Sequence, residues 1–323
     1  MKKSINILIT GAGSTTAISV IKGLREQKEY ITNIIGTDIY EKNNIAGSKF
    51  CDEFYVVPSA KDETEYISKL LSIIKNEYID ILIPIVDVEL EIVAKNMDKF
   101  EDTFVLLSSY ETIRTCNDKF KTYQFFKKFQ IPTLNTISLD DHTNIKEELL
   151  KKGIKYPFIA KPREGVSSRG VYEIKNSDEL GLIRRIKYPI VQELGVGEEY
   201  TIDIFGDGKK MINAIPRKRI ETRSGISYKG KTVNNKELIE YATKIYDNLK
   251  FVGPANFQCF LDDKKVQFFD INPRFSGSLP LTIKSGVNMT LFAIQLAKGI
   301  NLKPFTEFKE VKMCRYWEEV FYE

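Results

Sequence analysis

Asp270 and Asn272 stand two apart at the end of an apolar run, Phe268-Phe269-Asp270-Ile271-Asn272-Pro273-Arg274. On a strand that spacing sends both side chains to one face and presents hard oxygen ligands side by side. Gln258, in the preceding run Ala255-Asn256-Phe257-Gln258-Cys259-Phe260, can add a third from a partner strand. Magnesium accepts such a shell when it keeps waters and bridges to substrate phosphates. The plainer alternative is a polar strand end before a turn, against which the apolar flanks count.

Three further clusters could act on the same chemistry. In Phe158-Ile159-Ala160-Lys161-Pro162-Arg163-Glu164-Gly165-Val166-Ser167-Ser168-Arg169-Gly170, an apolar strand delivers Lys161 and then a Gly/Ser loop. A lysine followed by loop N–H and hydroxyl donors suits phosphates, and an ordinary hairpin with a solvated lysine suits the same residues. In Val191-Gln192-Glu193-Leu194-Gly195-Val196-Gly197-Glu198-Glu199, apolar residues beside Glu193 can flank a base while Glu199 accepts from ribose hydroxyls; solvated acids at a strand start are the alternative. Arg217, Lys218 and Arg219 follow the run Met211 to Pro216 and, with Arg274, could hold a phosphoryl group and a carboxylate by forked hydrogen bonds, unless they are simply solvated.

A fourth feature competes with these. Gly11 and Gly13 end a strand and precede a helix, and Asp38 ends the next strand, as in a dinucleotide fingerprint. Thr16 replaces the third glycine, so a nicotinamide- or nucleotide-binding loop stands beside a structural turn or a substrate-side loop.

The elements that must position these residues fall into two patterns. Up to about residue 110, β-branched runs (Ile5 to Thr10, Ile31 to Thr37, Glu53 to Val57, Ile79 to Ile85, Phe104 to Ser108) alternate with helical stretches (Thr15 to Gln27, Glu63 to Asn76, Val88 to Phe100). This predicts a doubly wound α/β domain with a parallel sheet covered on both faces. A helix from Asp118 to Phe129 follows, and beyond it the strands crowd together: Tyr156 to Lys161, Gly170 to Ile174, Ile190 to Glu193, Thr201 to Phe205, Met211 to Pro216, Ala255 to Leu261 and Val266 to Ile271. Turn signals at Gly206-Asp207-Gly208 and Asp262-Asp263 make this half α+β and antiparallel.

Composition removes other classes. With 48 Lys and Arg against 44 Asp and Glu, the net charge of +4 gives no stripe for nucleic acid. The 4 cysteines are scattered, which indicates neither zinc nor disulfides and fits a reducing cytoplasm. No run approaches the roughly 20 apolar residues of a membrane span. The single histidine, His142, lies in a polar turn, so triad hydrolysis and histidine-ligated zinc have little to stand on. The run Val311 to Trp317 reads as a strand with an aromatic face, buried internally or pairing two subunits as a homodimer, with Trp317 expected in the core.

The order of the clusters, from Asp118-Lys119 through Phe158 to Val171 and Gln192 to Tyr200 to Gln258 with Asp270 to Arg274, resembles the ATP-grasp superfamily. The resemblance covers nearly the whole chain and is closest to the branch of the carbamoyl-phosphate synthase large subunit and the pyrrolysine-biosynthesis ligase. It implies a pre-ATP-grasp domain over residues 1–112, a two-subdomain ATP-grasp fold over 113–305 with a lid at about 122–190, and a C-terminal segment, 306–323. By the same resemblance, Lys119, Lys161, Ser167, Ser168 and Gly170 serve the ATP phosphates, Glu193 and Leu194 the adenine, and Glu199 the ribose. Gln258, Asp270 and Asn272 hold Mg2+ or Mn2+, and Arg274, Arg217 and Lys218 act at the reacting group. Gly11, Gly13, Asp87 and Glu89 are placed on the substrate side. The activity implied is carboxylate–amine or carboxylate–thiol ligation through an acyl phosphate on small-molecule substrates; a non-catalytic relative is the alternative. Asp270 replaces a glutamate usual in the family, and its shorter arm bears on how many ions are bridged.

Overall fold

The computed structural model describes residues 4–140, 144–165, 170–223, 225–263 and 265–323. His142, Ser167 and Ser168 lie outside the described residues.

The first unit is a five-stranded parallel sheet in the order β3-β2-β1-β4-β5. Its strands are β1 (Ser4–Ile9), β2 (Ile31–Asp38), β3 (Glu53–Val56), β4 (Ile81–Ile83) and β5 (Phe104–Val105). Continuous apolar runs form it because both faces are buried. On β1, Ile5, Ile7 and Ile9 enter one core with helix α1 (Thr15–Glu26), while Leu8 enters a second with α2 (Glu63–Asn76) and α3 (Asp87–Lys95). The strand order reverses between β1 and β4, which opens a crevice at their carboxyl ends.

Helices α4 (Tyr110–Asn117) and α5 (Lys119–Lys128) lead into the second half. Their starts are fixed by side chains: Ser109 caps α4, and Asp118 accepts the N–H groups of Phe120 and Lys121 at the start of α5. A four-stranded sheet, β6-β9-β7-β8, comprises β6 (Thr136–Ser138), β7 (Phe158–Pro162), β8 (Tyr172–Ile174) and β9 (Pro189–Glu193). With α6 (Ile145–Lys152) it closes a small core of its own around Phe158 and Val191.

The larger sheet is antiparallel, in the order β14-β13-β10-β11-β12-β15. It contains β10 (Glu198–Asp207), β11 (Met211–Arg223), β12 (Ile226–Thr232), β13 (Val252–Leu261), β14 (Val266–Asn272) and β15 (Lys312–Cys314). Helix α7 (Lys236–Leu249) covers one face through Leu238, Ala242, Ile245 and Tyr246, the helical spacing of a buried stripe. Helices α8 (Leu279–Lys284) and α9 (Met289–Ala297) lie on the other face. There Phe205, Ile212 and Ile215 of this sheet share one core with Ile5, Ile7 and Ile9 of the first, so the two units are joined by apolar burial.

The structure corrects several sequence expectations. β11 does not stop at Pro216 but runs on to Arg223. Pro216 is tolerated because its carbonyl, and with it the nitrogen, faces the end of β12, where Val233 N–H donates to Pro216 O; no ladder bond to β10 is lost. β12, a polar strand, was not predicted at all. Phe104 to Ser108 shortens to a two-residue strand, and α3 ends at Lys95 rather than Phe100. In the C-terminal run only Lys312–Cys314 pairs, on the β12 edge, and Trp317 is 78 % exposed rather than core. Beyond Cys314 one more bond ties the chain to β12, Arg315 N–H to Tyr228 O, and the Trp317 ring two residues further on stands in solvent.

Candidate functional site

A cleft of about 960 Å³ lies between the two antiparallel sheets and is closed at one end by the first unit. Its inner wall is made by β13 and β14. Alternation puts Asn256, Gln258 and Phe260 on one face of β13. Opposite them the register shifts: Gln258 pairs with Asp270 and Cys259 with Phe268, leaving Phe269 as the extra residue of a bulge. Adjacent residues normally face opposite ways; the bulge lets both Phe269 and Asp270 line the cleft. Phe260 and Phe269 stack at 5.0 Å.

Lys161 enters from β7 in the other sheet. It is 8 % exposed, donates to Gln192 Oε1 at 2.8 Å, and lies 5.7 Å from the Phe269 ring. Gln192 is held in turn by Thr136 Oγ1 at 2.9 Å. Burial pushes the Lys161 ammonium down to about 8, with Asp270 opposing the shift and Lys119 adding to it. A buried lysine with one amide partner is under-satisfied, having three donors, and an anion would complete it.

The arginines are spread around Asp270. On β11 alternation sends Arg217 and Arg219 into the cleft and Lys218 the other way. Arg217 is buried and bonds Asp203 Oδ1 at 2.5 Å and Ser276 Oγ at 2.9 Å, while Ser276 and Thr282 both donate to Asp203 Oδ2. Arg219 bonds Glu199 Oε1 at 2.5 Å, and the Glu199 carboxyl is raised by burial against the lowering effect of that arginine. Gln258, oriented so that both ends of its amide are satisfied, donates to Asp270 Oδ2 at 3.1 Å and accepts from Arg219 Nη1 at 3.0 Å. Asn272 donates to Asp270 Oδ2 at 3.2 Å and to Asn256 Oδ1 at 3.3 Å. Arg274 forms a two-pronged pair with Asp87, 2.9 and 3.0 Å, from the bend just after β14 to the start of α3. Burial opposes its charge, and Asp87 more than offsets that, holding Arg274 above the ordinary range.

The mouth is built by α5 and the loop after β7. Arg163 grips both oxygens of Asp118 at 2.7 Å, and Lys119 donates to Gly165 O at 2.9 Å, tying the helix start to the loop. At the strand end of β9, the Glu193 carboxylate turns from the cleft to accept from Asn135 N and Gln267 Nε2, which leaves Leu194 and Gly195 along the rim. Ser14, Thr15 and Thr16, at the start of α1, form the far wall.

The structure therefore brings together Lys119, Lys161, Glu193, Leu194, Glu199, Arg217, Gln258, Asp270, Asn272, Arg274 and Asp87. It does not bring Lys218, which pairs with Glu198 on the outer face. Gly170 is not on the cleft wall, although Gly165 and Val171 are. Glu89 points into the core of the first unit and is buried, which raises its carboxyl to about 7. Gly11 and Gly13 lie behind the wall. Ala12 N–H donates to Thr37 O and Gly13 N–H to Asp38 Oδ2 at 2.8 Å, so the loop and the acid satisfy each other. A side chain on Gly47 would strike Ala12 O at 1.7 Å, showing how tightly the loop is covered. Sequence reading passed over Asn256, Gln192, Phe269 and Arg163. Strand alternation from Gln258 points to Asn256, but the bulge that turns Phe269 inward has no signal in the sequence.

Comparison with known proteins accords with this arrangement. Residues 186–320 match a family model described as ATP-grasp in the biosynthetic pathway with Ter operon, and residues 7–107 match the PylC-like N-terminal domain. By these matches residues 186–320 belong to an ATP-grasp family and residues 7–107 to a PylC-like N-terminal domain family. The carbamoyl phosphate synthase arginine-specific large chain of Geobacillus stearothermophilus is 27 % identical over 217 residues, 62 % of this chain and 20 % of that one. This chain thus spans about a fifth of that relative. The D-alanine–D-alanine ligase of Petrotoga mobilis is 27 % identical over 186 residues, 51 % of this chain and 59 % of the relative. Among solved structures, N5-carboxyaminoimidazole synthetase from Staphylococcus aureus complexed with ADP superimposes with a TM-score of 0.74 at 18 % identity, covering 95 % of this chain and 80 % of that one. The L-amino acid ligase of Bacillus licheniformis gives 0.69 at 15 % identity, covering 95 % and 76 %. At such identities these two structures establish the shared fold.

Proposed function

We propose that the protein is an ATP-dependent ligase that phosphorylates a substrate carboxylate and lets an amine or thiol displace the phosphate, releasing ADP. The observation that carries this reading is the convergence on one cleft of buried Lys161 and Arg217 and half-buried Arg219 and Arg274 with the Asp270–Asn272 pair. Phosphoryl transfer depends on positioning and charge neutralisation, which this array supplies without histidine.

In this reading the nucleotide lies between the sheets. Its base sits against Leu194 and the Phe260–Phe269 stack, its ribose near Glu199, and its phosphates beside Lys161, Lys119 and Gly165. Asp270 and Asn272 fit as oxygen ligands for Mg2+, which offsets phosphate charge when bound. Gln258 lies beside them with its oxygen turned to Arg219. Arg274, fixed by Asp87, and Arg217, fixed by Asp203, receive the acceptor carboxylate and the transferring group. The substrate-side role falls to Asp87 and the Ser14–Thr16 wall.

The test is the melting temperature with ATP and Mg2+, with ATP and EDTA, and with NADH, followed by ADP release against a panel of amino acids. A rise that needs both ATP and Mg2+ is expected, because a ligand of the folded state alone raises stability. A rise with NADH and none with ATP would overturn the reading.

A further inference from the structure

Two arginines already close two of the carboxylates on the inner wall: Arg274 takes Asp87 and Arg219 takes Glu199. Asp270 meets amides instead. Its Oδ2 receives the Asn272 N–H at 3.2 Å and, once the Gln258 amide is assigned so that both its ends are satisfied, the Gln258 N–H at 3.1 Å. No group of three or more carboxylate, thiol or imidazole ligands forms among the described residues.

We propose, building on the ATP-dependent reading above, that the cleft takes a single divalent cation, on Asp270 and Asn272, and that the Arg219 guanidinium is the fixed cation standing where a second metal ion would sit. A carboxylate bridges two metal ions most readily with one oxygen to each, and on the short side chain of Asp270 the Oδ2 end already accepts the Asn272 amide. The Gln258 amide lies between Asp270 Oδ2 and Arg219 Nη1, 3.1 and 3.0 Å away, and in the orientation that satisfies both its ends it gives its oxygen to Arg219, which puts the guanidinium one amide away from Asp270. Arg219 cannot swing out easily: its side chain is 6 % exposed and is held by Glu199 and by Gly225 O at 2.7 Å. Its Nε has no partner in the protein. A second divalent ion here would face a buried, permanent positive charge with no unpaired carboxylate to receive it. One ion with Lys161 and Arg219 instead spreads positive charge along the triphosphate.

The experiment is a Mn2+ titration of the full chain saturated with a non-hydrolysable ATP analogue, with free Mn2+ read by electron paramagnetic resonance. One Mn2+ per chain is expected, and two of comparable affinity would overturn the inference. In Arg219→Gln, with its fold checked by circular dichroism, a second Mn2+ is expected to bind at higher concentration. If the variant stays at one, Arg219 does not occupy that place and its assignment fails. Absence of any analogue-induced rise in melting temperature in the unaltered protein would instead remove the ATP reading, and this inference with it.

Discussion

Two polar strand ends in this molecule carry candidate ligand-binding residues and behave in opposite ways. At the first, Gly11 to Thr16 with Asp38, donors and acceptor meet within one sheet and satisfy each other: Gly13 N–H goes to Asp38 and Ala12 N–H to Thr37 O. At the second, Lys161 arrives from one sheet and Asp270, Arg219 and Arg217 from another, and no internal pairing satisfies every group. Buried polar groups are normally paired, so unmet valence collected from separate elements marks a place prepared for a ligand. Glycines after a strand do not by themselves mark one.

Four substitutions or titrations test this contrast. The largest effect is expected from Asp270→Ala: ADP release falls by at least about 10³-fold while cooperative unfolding is retained. Turnover at the original rate would remove the assignment of the cleft. Next, Arg217→Met leaves Asp203 buried with its charge uncompensated, and urea unfolding should register a loss of about 3–5 kcal/mol. An unchanged midpoint would mean that Arg217 is no anchor.

The third effect is a pH dependence. Phosphates bind the ammonium form of Lys161, which is held down at about 8 by burial, so ATP affinity is level below that pH and weakens as pH rises through it. The slope approaches about tenfold per pH unit by proton linkage, until the pKa of the complex is reached. For the free protein the sign is reversed. Between about 8 and the ordinary 10.5 the unfolded chain binds more protons at this lysine, so its contribution to stability improves as pH rises. Calorimetric ATP titrations from pH 7 to 9.5 on the original and on Lys161→Arg, which stays charged, separate the two; equal slopes would exclude Lys161. The smallest effect belongs to the other strand end. Asp38→Asn, which keeps the shape but weakens the bond to Gly13 N–H, should cost about 1–3 kcal/mol and leave ADP release unchanged. Loss of nucleotide binding in that variant would break the comparison.

The parallel unit and the antiparallel half were legible because burial on two faces or one leaves different apolar periods, continuous in β1 and alternating in β13. The pairing of Asp270 with Asn272 was legible for a similarly local reason, since two residues on one strand face stay together whatever surrounds them. Lys218 was misread because β11 was thought to end at Pro216, and only a continuing strand turns Arg217 and Arg219 inward and Lys218 out. Trp317 was misread because hydrophobicity states a preference for burial while chain path decides whether anything is there to bury against.

The residue types thus determined the fold class, the apolar cores and the set of charged groups available for chemistry, because those follow from short-range periodicity. Which arginine meets which carboxylate was decided only by tertiary structure. Arg274 finds Asp87 from 187 positions away, and Asp118 finds Arg163 across 45. Such pairings depend on strand register, on one bulge and on the packing of three sheets, and electrostatic attraction over a few ångströms leaves no periodic trace in the chain that encodes it.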